Sequence, residues 1–216
     1  MNQVFKFLKN LEQHNNREWF HEHKEEYLTA KSVFEEVVGK LILEISSFDK
    51  AVEDLEPKNC IFRIHRDVRF GKNKLPYKTS FGASISPGGK QSTNPTYYVH
   101  AEVGKSMIAA GVYMPPAEEL RKIRQEIDYN AEGLLHILEE DDFKSTYGEL
   151  KGEALKTAPK GYPKDHPNIE LLRFKSFIVW TEVKDSLFTQ PNSVTEIGQM
   201  FKIAQPFNKY LSVAMS

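Results

Sequence analysis

The chain has 216 residues, of which 40% are hydrophobic and 27% charged, and its net charge at neutral pH is −1. That balance supplies a sizeable core and excludes disorder over most of the length, while the near-zero charge lacks the strong basic excess of a dedicated nucleic-acid binder. A single cysteine, Cys60, excludes an internal disulfide and a cysteine-ligated zinc site.

No apolar run reaches the ~20 residues that span a bilayer. The residues after Met1 also lack the apolar stretch of a secretory signal. A cytoplasmic, reducing location with no membrane contact is therefore expected, and at this length one domain over 1–216 is the default.

The first sixty residues read as helical. Phe5, Leu8 and Leu11 mark a short helix. Asn15 or Asn16 then caps a longer one, on which Phe20, Tyr27, Phe34, Val38, Leu41 and Ile45 follow a 3.6-residue period. At Cys60 the period changes to two. Phe62, Ile64, Val68 and Phe70 lie on one side of an extended segment, and Arg63, His65, Asp67 and Arg69 on the other. Arg66 breaks the pattern on the apolar side, so it is expected to be buried and paired with a carboxylate or backbone carbonyls.

Strands are expected over 79–86, 96–103 and 106–114, joined by short loops that require antiparallel pairing. Helices resume after Pro116, with Asn130 as a cap between two of them. An apolar extended segment runs from Phe174 to Trp180. Ser193 and Glu196 form a capping-box pattern, and Pro206 is expected to break the last helix. The fold class expected is α+β, with a central antiparallel sheet from about residues 60–114 and N- and C-terminal helices packed on it.

The charge is unevenly placed. Residues 63–78 hold Arg63, Arg66, Arg69, Lys72, Lys74 and Lys78 against one acid, Asp67, whereas residues 118–142 are predominantly acidic. Guanidinium forks suit carboxylate and phosphate, and lysines add mobile charge. The segment therefore reads either as an anion-binding strand and loop or as a solvated edge strand with a structural Arg–Asp network. As a binding site it would use Arg63, His65, Arg66, Arg69, Lys74 and Lys78, with Tyr77 and Tyr113 as apolar walls.

A second feature lies on the middle strands. Ser80, Gly82, Ser84 and Ser86 share one face, and Tyr98, His100 and Glu102 share another. If these faces coincide, the sheet carries small floor residues beside convergent polar groups, which is the makeup of a pocket. His100 beside Glu102 is then a candidate acid/base pair.

Other motifs fail. Glu18 and His21 have metal-ligand spacing on a helix, but the second such motif of a di-metal bundle is missing. Ser86 to Gln91 imitates a phosphate loop without its first glycine or its Ser/Thr. No dinucleotide fingerprint or nucleophile elbow is present, so no cofactor is expected.

The stretches Asn15-Asn-Arg-Glu-Trp-Phe20, Arg66-Asp-Val-Arg-Phe70, Lys74-Leu-Pro-Tyr-Lys78, Gly111-Val-Tyr-Met-Pro115, Pro159-Lys-Gly161, His166-Pro167 and Leu171-Leu172 occur in order along the chain. In these it resembles the uncharacterised microbial family called domain of unknown function 2461. The resemblance implies a single domain and brings no established activity or catalytic residue.

Three classes of function stay open, in this order. The first is binding, with or without turnover, of a small phosphate- or carboxylate-bearing ligand at the basic segment. The second is a nucleic-acid module that uses the same charges. The third is an interaction protein whose basic segment meets an acidic partner or a second copy.

Overall fold

The computed structural model describes residues 1–69 and 74–216. Lys72 of the basic segment, Phe70 of its alternation, and Gly71 and Asn73 lie outside the described residues.

In α1 (Asn2–Gln13), Val4, Phe7, Leu8 and Leu11 recur at spacings of three and four, so they share one face and are buried. Asn16 caps α2 (Arg17–Glu22) by accepting a hydrogen bond from the Trp19 backbone N–H at 2.9 Å. The helical period read from Phe20 onward belongs to two helices rather than one. The chain bends at His23, whose Nδ1–H donates to the Trp19 carbonyl at 2.8 Å and whose ring stacks on Trp19, and α3 (Lys24–Ser46) follows. Phe34, Val38, Leu41 and Ile45 make its buried stripe. A single turn, α4 (Pro57–Cys60), leads to the basic segment.

Among its described residues that segment forms no continuous strand. It makes isolated bridges at Ile61↔Ala83 and His65↔Tyr77. Between them the chain leaves the sheet and doubles back on itself. Arg66 N–H donates to the Pro76 carbonyl, and Lys78 N–H to the Ile64 carbonyl, both at 2.8 Å. Pro76 has no N–H to return, so the ladder stops there.

The sheet is α+β in its setting and fully antiparallel, in the order β1 (Ser80–Ile85), β2 (Thr96–Glu102), β3 (Met107–Val112), β4 (Phe177–Glu182). The first three strands are hairpin neighbours, as their short loops require. The fourth arrives after α5 (Ala117–Glu139), α6 (Asp141–Tyr147) and α7 (Ile169–Leu172). Its source is the apolar extended segment near Phe174–Trp180, not residues 60–70. The expected break in α5 occurs at Asn130 (φ −149°, ψ 68°).

Gly111 is the position where the β3–β4 pairing needs a glycine. Its φ is +111°, and a Cβ there would lie 2.1 Å from the Phe177 carbonyl oxygen.

After α8 (Ser186–Thr189), α9 (Ser193–Met215) continues through Pro206 instead of stopping. An interior proline costs about 3 kcal/mol. Burial of Phe207 and Leu211, just beyond it, offsets that cost at ~1.5–3 kcal/mol each. Asn192 stands at the N-cap of this helix, and the Ser193–Glu196 box does not form.

One face of the sheet is covered. Phe81, Ala83, Tyr97 and Val99 pack with α1, α3 and part of α9, while Ala110, Val112, Phe177 and Val179 pack with α5, α6 and the rest of α9. The opposite face of all four strands is open. No helix among the described residues is long and apolar enough to cross a membrane.

Candidate functional site: a trough on the open face of the sheet

Alternation puts every second residue of each strand on the open face, and the antiparallel register arranges these residues in rows. Ser84, Tyr98, Ala109 and Trp180 form one row; Gly82, His100 and Met107 form the next; Ser80 faces Glu102 beyond it. Within these strands the two polar sets read from the sequence therefore do coincide.

Small side chains on β1 and β3 keep the floor low, and a cavity of about 950 Å³ lies over it. That is the size of a small-molecule site. Phe62, Arg63 and Lys78 wall it along the β1 edge. Lys90 and Asn94 of the β1–β2 loop line it where β2 begins, and Tyr113 to Pro116, which follow β3, rise at that same end of the strands. Trp180 is held in place by Lys151, whose Nζ lies 4.1 Å from the ring centroid and also donates to the Trp180 carbonyl. Ser84 and Thr96 hydroxyls meet at 2.7 Å.

The rim carries backbone strain. Met114, with φ at +46°, is the one non-glycine residue of positive φ among those described, and its N–H is held by Ser176 Oγ at 2.9 Å. Beside it Tyr113 is 74% exposed.

The cationic wall is only weakly compensated: the Asp67 carboxylate, forked by Arg69, also feels the Arg63 charge. Among the described residues, no carboxylate comes within ion-pair distance of Arg63, Arg66 or Lys78. Burial, then the charges of Arg63 and Arg66, hold the Lys78 ammonium below the ordinary lysine range. Its Nζ sits 5.6 Å from the centroid of the Phe62 ring.

Arg66 is half-buried as its place on the apolar side suggests, but the expected acceptors are missing: its Nε is buried with no hydrogen-bond partner. A smaller depression of about 540 Å³ adjoins the trough and shares Phe62, Arg63 and Lys90 with it, adding Lys31 and Lys58.

Tyr98, His100 and Glu102, on alternate positions of β2, are joined by hydrogen bonds. Glu102 Oε2 lies 3.0 Å from His100 Nε2, and His100 Nδ1 lies 3.1 Å from Tyr98 Oη. The carboxylate can only accept, so Nε2 carries a hydrogen, and in the neutral imidazole the bare Nδ1 accepts from the Tyr98 hydroxyl. Thr79 donates to Glu102 Oε1 at 3.1 Å. Of the three, Tyr98 lines the trough. Burial and the nearby Glu102 push its hydroxyl up to about 12. Gly82 makes room for it, since a Cβ there would fall 2.5 Å from Tyr98 Oη.

The remaining residues singled out in the sequence stand apart. Arg69 forks onto Asp67 through Nε (3.1 Å) and Nη2 (2.8 Å), as the structural Arg–Asp reading describes. Lys74 donates to the Val68 carbonyl at 3.0 Å. Neither lines the trough. Tyr77 is buried against Phe20, ring centroids 3.9 Å apart, and His65 packs edge-on to both rings. Among the described residues no group of three or more His, Cys, Asp or Glu is placed to hold a metal, so Glu18 and His21 gain no companions. Cys60 is fully buried, and burial pushes its thiol up to about 11, which suits packing rather than nucleophilic attack.

Phe62, Lys90, Ile178 and Trp180 belong to the trough but were not singled out as site residues. Trp180 and Ile178 alternate with the core residues Phe177 and Val179, so their shared face was readable, though not the strand they would pair with. Lys90 lies in the stretch that imitates a phosphate loop.

Three of the stretches of family resemblance, 15–20, 74–78 and 111–115, meet at this site or directly behind it. Asn15 brackets the Tyr77 backbone, donating to its carbonyl at 3.0 Å and accepting from its N–H at 3.1 Å. Phe20 stacks on the same residue, and 111–115 form part of the rim. No curated protein and no solved structure matches the chain. A family model does match it, over residues 3–210, and the chain belongs to that family, the conserved hypothetical proteins of DUF2461.

Proposed function

We propose that the trough binds a small molecule carrying a phosphate or carboxylate on an apolar body. Arg63 and Lys78 receive the anion, Arg66 adds to the field, and Tyr98, Trp180 and Tyr113 contact the body. The observation that carries this reading is a wall without ion pairs. Among the described residues, three cations stand together with no carboxylate within ion-pair distance, and two of them, Arg63 and Lys78, face a cavity large enough for a metabolite. Charges that serve only the fold are normally neutralised by neighbours, as Arg69 is by Asp67. Arg69 and Lys74 are outside the proposed contact set because their side chains are engaged elsewhere.

A second reading, an extended polyanion such as single-stranded nucleic acid, is favoured by one feature. The smaller depression continues the cationic wall beyond Arg63 and Lys90 to Lys31 and Lys58.

Thermal unfolding with inorganic phosphate, succinate, aromatic phosphate monoesters and a short oligothymidylate, at two salt concentrations, separates these readings. The expected result is stabilisation of the wild type by a small anion, lost in the Arg63→Ala/Lys78→Ala double variant. Stabilisation by the oligonucleotide alone, falling steeply with salt, would instead support the polyanion. If none of these ligands shifts the transition, the site is not an anion site.

A further inference from the structure

We propose that Tyr98, His100 and Glu102 form a proton relay that makes the trough a hydrolytic site, acting on an ester whose anionic group is held by Arg63 and Lys78. The proposal rests on the trough reading above and gives it a reaction.

Glu102 fixes the imidazole with its proton on Nε2, the bare Nδ1 takes the Tyr98 proton, and the Tyr98 oxygen is left with lone pairs for the cavity it lines. A hydroxyl oriented in this way accepts a hydrogen bond from a water or alcohol in the trough. His100 and Glu102 themselves do not line it. They reach the ligand only through Tyr98, which makes Tyr98 the catalytic residue and the other two positioning residues. The carboxylate is well anchored. Thr79 donates to its second oxygen, and Asp185 braces the β2–β3 turn by accepting the Gly104 N–H and the Ser106 hydroxyl, both at 2.8 Å.

Tyr98 need not carry a full negative charge. As a water attacks, its proton passes to Tyr98 Oη while the Tyr98 proton passes to His100 Nδ1, giving an imidazolium beside Glu102. The new bond joins the water oxygen to the acyl carbon. The charge that develops on the carbonyl oxygen lies toward the cationic wall, where Lys78 and Tyr98 both flank Phe62. Collapse breaks the ester C–O bond, and the leaving oxygen recovers the proton along the same path. The products are an acid and an alcohol, and water is the one co-reactant. The ester class follows from the chemistry: a relay that removes a proton from water needs an electrophile next to a cation.

The test uses the full chain and the mono-4-nitrophenyl ester of succinic acid, with release of 4-nitrophenolate as the readout. Wild type is expected to show saturable turnover, about 10²- to 10⁴-fold faster than Tyr98→Phe, the range for general acid–base catalysis. Glu102→Gln should lower kcat with little change in KM, and Lys78→Ala should both raise KM and lower kcat. Gly82→Ala keeps all three relay groups but crowds the Tyr98 hydroxyl, so it should lower kcat as well. Long-range ¹H–¹⁵N spectra of the imidazoles should show His100 protonated at Nε2, with an Nδ1 shift that moves in Tyr98→Phe.

Turnover of wild type no faster than Tyr98→Phe overturns the relay, as does a His100 proton resident on Nδ1. Succinate binding separates the two possible failures. If succinate stabilises a wild type that turns over no faster than the variant, the relay is wrong and the trough stands. If succinate neither stabilises nor inhibits, the trough reading has fallen and the hydrolase falls with it.

Discussion

On the helix-covered face of the sheet, Ala83, Val99 and Ile108 stand in one cross-strand row and all three are fully buried. One residue along the same strands, Ser84, Tyr98, Ala109 and Trp180 make the next row, and each is only half-buried. The backbone ladder is identical for both rows, and the side chains alone differ. The covered face is constrained by volume, because closely packed interiors register the loss of even one methylene. The open face is constrained by placement: a glycine under a hydroxyl, three relay groups on alternate residues, and cations left without ion pairs at the rim. Substitutions on the first face should act on stability, and those on the second on binding and chemistry at nearly constant stability.

The largest loss of stability is expected at Phe207. It is fully buried in α9 directly after Pro206, and packs edge-on to Phe143 at 5.8 Å. Phe207→Ala should destabilise the protein by about 3–5 kcal/mol, read from urea denaturation, the range for truncating a large core aromatic. A loss below about 1 kcal/mol would mean that α9 is not what holds the covered face, and that its path through Pro206 has been assigned to the wrong cause.

Much of the covered face was legible from period alone. The change from 3.6 to 2 and back placed three of the four strands, and the apolar segment that supplies β4 was visible as extended. What could not be read was pairing at a distance. β3 and β4 are separated by the whole of 113–176, and nothing local in Phe177 to Trp180 names its partner. The basic segment shows the opposite limit. Its alternation was real, yet the segment pairs with itself between Ile64–Arg66 and Pro76–Lys78 rather than running on as a strand, and its charges divide. Arg63 and Lys78 reach the trough, while Arg69 turns onto Asp67. Alternation gives the side of a strand on which a residue lies, but not which acid is near enough to neutralise it. His100 and Glu102 were readable as a pair two residues apart. Tyr98 completes the chain because Gly82 lets its ring lie across β1, a three-dimensional fact with only the glycine as its sequence sign.

A smaller effect is expected at Asn15, the link between the two regions. Its amide makes both hydrogen bonds of a strand partner to Tyr77, so it fastens the folded-back segment to the N-terminal helices. Asn15→Ala leaves one backbone donor and one acceptor without partners, at a cost of about 1–2 kcal/mol each before solvent fills in. The expected signature is local. Amide hydrogen exchange should accelerate at Tyr77 and Lys78 much more than at Val99 or Ile108, and anion affinity should fall with it. Uniform acceleration across the sheet would show that the segment is part of the covered core's cooperative unit and not a separately anchored rim.

The smallest expected stability change, and the most specific, is at Lys78. Burial and the neighbouring Arg63 and Arg66 lower its pKa from the ordinary 10.5. Between the lowered folded value and 10.5 the unfolded chain binds more protons than the folded one, so this residue's contribution to stability rises with pH across that window. Below the window the charged ammonium works against the fold. An anion in the trough reverses the balance by favouring the charged form, so phosphate or succinate affinity should decline as pH rises through the Lys78 titration. In Lys78→Arg, whose guanidinium stays charged throughout, that decline should disappear. Lys78→Met keeps an apolar stem beside Phe62 and removes the repulsion, so its melting temperature at neutral pH should match or exceed that of wild type while anion affinity falls. Thermal scans and titrations at a series of pH values measure both. A melting temperature several degrees lower in Lys78→Met would show that the ammonium supports the fold, which would place this residue with Arg69 among the structural charges and leave the trough without its anion-binding wall.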